Sequence, residues 1–89
     1  MKLAQKEINE TMDEVRTLSK KDPHNIKYFY QLNYLTLLLM RNTFSQKRQF
    51  RKADTMTKAM KTLFKENSKD LQPLINKLRK NHFKGDNLR

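Results

Sequence analysis

Residues 26 to 40, IKYFYQLNYLTLLLM, constrain the fold more than any other stretch of this chain. Eleven of these fifteen residues are apolar or aromatic, and they fall on every face of a helix rather than on one stripe. A helix of that kind must be surrounded, by its own domain or by a partner. The segments on either side each offer a single apolar stripe, so they suit the role of wrapping elements.

The connections point the same way. The chain has one glycine, at position 85, and one valine, and no run alternates strictly between apolar and polar residues. Tight hairpin turns have little to be built from. The expected fold is all-α, a small single-domain bundle of four helices. At 89 residues, with 36% hydrophobic and 33% charged residues, one core barely offsets chain entropy. The absence of cysteine removes disulfides and thiolate metal sites. Glu7, Glu10, Asp13 and Glu14 interrupt the first apolar run, which is unlike a secretory signal. Residues 26–40 fall short of the roughly 20 needed to cross a bilayer, and they include Gln31 and Asn33. The expectation is a soluble, cytoplasmic protein.

Periodicity and capping residues set the expected boundaries. The first helix covers about 3–20, with Ala4, Ile8, Met12, Val15 and Leu18 as its stripe. The second covers about 23–41, with Asp22 as its cap and Pro23 at its first position. A break is expected in residues 41–46, RNTFSQ, where Asn42, Thr43 and Ser45 can all cap, the alternative being that the second helix runs on through this stretch. The third helix covers about 45–65 and buries Ala53, Met56, Met60, Leu63 and Phe64, with Phe50 at the edge of that face. The fourth covers about 70–82. Asn67, Ser68 and Asp70 can all cap it, Pro73 lies in its first turn if Asp70 is the cap, and Leu71, Leu74, Ile75 and Leu78 form its stripe. Gly85 is the expected terminator, which makes 1–84 a single domain and 85–89 a frayed tail.

Charge says most about function. The chain carries +11, unevenly placed: residues 1–40 hold six Lys/Arg against five Asp/Glu, residues 41–89 fourteen against four. Such an asymmetry points to a polyanion, whether nucleic acid, an acidic membrane surface or an acidic protein. On the third helix Lys47, Arg51, Lys58, Lys61 and Lys65 fall within about 40° of one line, with Asp54 the one acid among them. Arg48 and Lys52 widen this strip, which spans roughly 30 Å. Lysine predominates, and lysine acts as a point charge, which favours phosphate contact over base readout. The expectation is an accessory or regulatory protein that binds DNA or RNA through Lys47, Arg48, Arg51, Lys52, Lys58, Lys61 and Lys65. The plainer alternative is a solvated face that keeps a small protein in solution.

Other chemistry finds little support. His24 and His82 are far apart, and neither has a partner at metal-ligand spacing. No glycine-rich loop is available to cradle a phosphate. The acidic cluster Glu7, Glu10, Asp13 and Glu14 lacks the Glu-x-x-His pattern of carboxylate metal bundles. No enzyme activity, cofactor or metal is expected. Tyr28, Phe29, Tyr30 and Tyr34 would serve as a base-stacking platform if they faced solvent, but at helical spacing beside leucines they read as core. A helix-turn-helix would need its turn at residues 42–46 and its recognition helix at 47–58.

Asp22-Pro23 between the first two helices, and the Leu71, Leu74, Leu78 stripe after a short loop, give a layout with a known counterpart. It resembles the cytosolic immunity proteins that protect bacteria from their own pediocin-like bacteriocins. These are small, charged, cysteine-free four-helix bundles. The resemblance implies a membrane receptor–bacteriocin complex as partner, with the basic face near anionic lipid. The basic strip of the third helix falls outside that pattern. A third reading is a small subunit of a larger assembly, or a homodimer, with the second helix partly covered by another chain.

Overall fold

The structure, a computed structural model, describes the backbone of residues 5–87 and the side chains of residues 5–80. Among these described residues four helices make up the fold: α1 (Gln5–Lys21), α2 (Ile26–Gln46), α3 (Phe50–Glu66) and α4 (Ser68–Asn87). No strand occurs among the described residues. The all-α four-helix bundle expected from periodicity is the fold. Leu3 and Ala4 of the expected first helix lie outside the described residues, as do the side chains of His82 and Lys84.

The apolar stripes meet where their spacing directs them. Ile8, Met12 and Val15 of α1, Leu35 and Leu38 of α2, Met60 of α3, and Leu71, Leu74 and Leu78 of α4 form one buried cluster. Each large side chain removed from water contributes roughly 1.5–3 kcal/mol, which gives the short elements a reason to dock. Thr11 is also buried, and its hydroxyl donates to the Glu7 carbonyl one turn back at 2.9 Å. Gln31 is the buried polar residue of α2. Its Nε2 donates to the Asp70 carbonyl of α4 at 3.0 Å, so its amide is satisfied and ties the two helices.

α2 packs against all three other helices, α4 also touches α1 and α3, and α1 and α3 do not meet. The result is a slab of 38 × 33 × 19 Å, about two helix diameters thick. One face of α2 stays open between α1 and α3, where Ile26 and Phe29 are each 59% exposed and Met40 is 39% exposed. The helix expected to be surrounded is therefore covered on three sides only.

Several element ends differ from expectation. α2 begins at Ile26, because Asn25 and not Asp22 is its cap: Asn25 Oδ1 accepts from the Lys27 backbone N–H at 3.0 Å. Asp22 instead accepts from Asn25 Nδ2 at 3.1 Å, and Pro23 lies in the turn ahead of the helix. At its other end α2 runs straight through RNTFSQ, with the Thr43 hydroxyl bonded back to the Leu39 carbonyl at 3.0 Å. The break falls at residues 47–49. Gln49 N–H donates to Phe44 at 2.8 Å and Arg48 N–H to Ser45 at 3.0 Å, while Arg48 takes φ 59°. This paired pattern closes a helix with a left-handed residue, usually glycine. Here the residue is arginine. The turn at 42–46 that a helix-turn-helix would need is helical.

α4 starts at Ser68, so of the three candidate caps Asn67, and not Asp70, stands just ahead of the helix. The Asn67 carbonyl accepts from both Asp70 and Leu71 N–H, so Asn67 alone separates α3 from α4. Pro73 then lies inside the helix. The backbone of α4 continues to Asn87, past His82 and past the stop expected at Gly85. The expected tail thus begins within α4, and residues 88 and 89 lie outside the described residues.

Candidate nucleic-acid interface

The seven basic residues of the expected strip are all exposed, but only five of them lie on α3. Lys47 closes α2 and Arg48 sits in the left-handed turn, so neither rides on α3. Lys52 stands half a turn away from Lys61 on α3, and its Nζ lies 5.7 Å from the centre of the Phe44 ring. It faces the end of α2. What remains on one side of α3 is Arg51, Lys58, Lys61 and Lys65, about 21 Å from first to last. Lys58 pairs with Asp54 at 3.2 Å; both side chains are well exposed, so the pair contributes little energy and gives way readily to another anion.

This shortened strip gains two cations from elsewhere. A groove runs between α3 and α4 with α2 as its floor. One hollow in it, about 340 Å³, is lined by Tyr34 and Arg41 of α2, Lys61 and Phe64 of α3, and Ile75 of α4. A neighbouring hollow of about 240 Å³ shares Tyr34, Arg41 and Ile75 and adds Arg79 of α4. Arg41, Lys61 and Arg79 thus converge on one groove from three helices. Arg41 follows Tyr34 by seven residues, two helical turns, which puts them on one side of α2. That relation exists because α2 continues past residue 41; a helix ending there makes Arg41 a frayed terminal residue. Arg79 has no sequence signal that sets it apart from Lys77 and Lys80.

Burial raises the pKa of the Tyr34 hydroxyl above the ordinary tyrosine value of 10.0, and the positive charge of Arg41 opposes the rise. Tyr34 is therefore a neutral phenol at physiological pH, able to donate and accept hydrogen bonds. The other aromatics of α2 do not make a platform. Tyr28 and Tyr30 are half-buried against the core, and Phe29 points outward with its ring edge-on to Tyr30 at 5.7 Å.

The neutral side of the molecule is α1. Within it Lys6, Arg16, Lys20 and Lys21 balance Glu7, Glu10, Asp13 and Glu14. Glu14 reaches Lys77 of α4 at 2.6 Å, and Asp13 pairs with Arg16. Among the described residues no three His, Cys, Asp or Glu side chains come together as a metal site, and no helix is long and apolar enough to cross a membrane.

No family model matches the chain, and neither a curated protein nor a solved structure shows significant similarity to it.

Proposed function

We propose that this protein is a non-enzymatic nucleic-acid-binding accessory or regulatory protein that holds the phosphate backbone along α3. The observation that carries the reading is the convergence of Arg51, Lys58, Lys61 and Lys65 on one side of α3 with Arg41 and Arg79 at the adjoining groove. Like charges at helical spacing repel by a few tenths of a kcal/mol per pair, so their gathering on one surface asks for a counter-charge. Phosphates spaced along a strand supply it. Lysine-rich contact of this kind positions a backbone and carries little sequence information. A cytoplasmic location, where nucleic acid is at hand, goes with this reading.

Replacing Arg51, Lys58 and Lys65 together with Glu tests it. All three side chains are exposed, so the far-ultraviolet helix signal is expected to stay as it is. Affinity for nucleic acid at about 50 mM salt is expected to fall by at least two orders of magnitude. Unchanged affinity would reduce the strip to a solvated face.

One observation favours a second reading, a subunit of a larger assembly or a homodimer. The open face of α2 leaves Ile26, Phe29 and Met40 in water. Sedimentation at rising protein concentration separates the two. An apolar contact between chains persists as salt rises, whereas a phosphate complex dissociates.

A further inference from the structure

The groove between α3 and α4 opens beside the basic strip at Lys61, which belongs to both. We infer that this groove takes one unpaired nucleobase, and hence that the bound nucleic acid is single-stranded. The inference rests on the phosphate-contacting role proposed above and adds the state of the strand.

The groove is apolar below and cationic at its rims. Met60, Phe64 and Ile75 line the larger hollow together with the Tyr34 ring. Lys61 stands at the α3 rim, with Arg41 from α2 and Arg79 from α4 across from it. A ligand that fits has a flat, weakly polar body with anionic groups close on either side, and a nucleotide within a strand has that form. The hollow of about 340 Å³ is in the range of ligand clefts, roughly 300–1,000 Å³. Two aromatic residues from different helices, Tyr34 and Phe64, line it, and aromatic side chains are the groups on which bases stack.

Strand state follows from what each nucleic acid exposes. A duplex shows base edges in its grooves and keeps base faces stacked, so turning one base out costs a few kcal/mol. A single strand presents its base faces without that cost. An acyl chain under an anionic headgroup also suits a greasy floor and a basic rim, but a single headgroup would leave Lys58 and Lys65 idle on the same side of α3. A strand passing the groove engages them with successive phosphates.

The test keeps the protein intact and varies the ligand. Anisotropy titrations of the full chain at about 50 mM salt would use a short oligothymidine, an abasic sugar-phosphate strand of equal length and a duplex of equal length. Anionic phospholipid vesicles form a fourth arm. Oligothymidine is expected to bind at least about tenfold tighter than the abasic strand, the gain of one stacked base, and tighter than the duplex. Tyrosine fluorescence is expected to quench on binding oligothymidine, and Tyr34→Phe to lose that quenching. Phe64→Leu, which stays apolar, is expected to shrink the preference for the base-bearing strand without changing abasic binding. Equal affinity for oligothymidine and the abasic strand would overturn the base-binding groove and leave the phosphate reading standing. Failure of all three nucleic acids to bind, or binding to vesicles alone, would overturn both.

Discussion

Tyr34 and Arg41 show how one residue's titration reports on the groove. Burial holds the Tyr34 phenol neutral and raises its pKa above 10.0, while the Arg41 guanidinium favours the phenolate. The folded pKa lies above the unfolded one, so the associated stability is present below about pH 10 and is lost as pH rises through the folded value. Alkaline titration followed by tyrosinate absorbance is therefore expected to show a tyrosine ionising above the ordinary value. Arg41→Gln removes the opposing charge and is expected to push that step higher still; Tyr34→Phe should abolish it. A step that stays put in Arg41→Gln would mean that the two groups are too far apart to share a site. In the sequence Tyr34 reads as one more packed aromatic, and its half-buried position agrees with that. Its relation to Arg41 is not legible there, because RNTFSQ looks like a helix end.

The misplaced end has a cause at the scale of the element. Helix stops are read from glycine, and this chain has a single glycine, far from the turn. α2 nevertheless closes with a left-handed residue, Arg48 at φ 59°, for which a Cβ costs about 1–2 kcal/mol. Arg48→Gly relieves that strain and gives part of it back as unfolded-chain entropy. A net gain of about 0.5–1 kcal/mol is expected, visible as a rise of a few degrees in Tm by circular dichroism. Arg48→Pro should do the reverse. It forbids φ 59° and removes the N–H that donates to Ser45. If Arg48→Gly were neutral and Arg48→Pro harmless, the turn would not have this geometry. What the sequence did reveal were the buried stripes. Ile8, Met12 and Val15, then Leu71, Leu74 and Leu78, recur at spacings of three and four and are buried, while Leu18 of the first stripe is 37% exposed. Side-chain periodicity is a property of a helix by itself. How α3 is rotated against α2 is not, and that rotation turns Lys52 onto Phe44 and brings Arg41 and Lys61 to one hollow.

Across the whole molecule the charge is polarised, with balanced α1 on one side and the cations of α3 and the groove on another. If Arg41, Arg51, Lys58, Lys61, Lys65 and Arg79 all meet phosphates, six contacts form. Each contributes about −0.7 to the slope of log affinity against log salt for a single strand, giving a slope of about −4. A rise from about 50 to 200 mM salt is then expected to weaken binding roughly 300-fold. Removing one cation, as in Lys65→Gln, should flatten the slope by about 0.7. Removing Lys52, which faces the end of α2, should leave the slope close to its original value if the bound strand keeps to the α3–α4 side. Lys52→Gln is therefore the informative control. Equal flattening by Lys65→Gln and Lys52→Gln would mean that the polyanion sees a diffuse cloud of +11 rather than the six-cation surface. A slope near zero with binding intact would move the contact to the open face of α2, where Ile26, Phe29 and Met40 offer apolar area and no charge to screen.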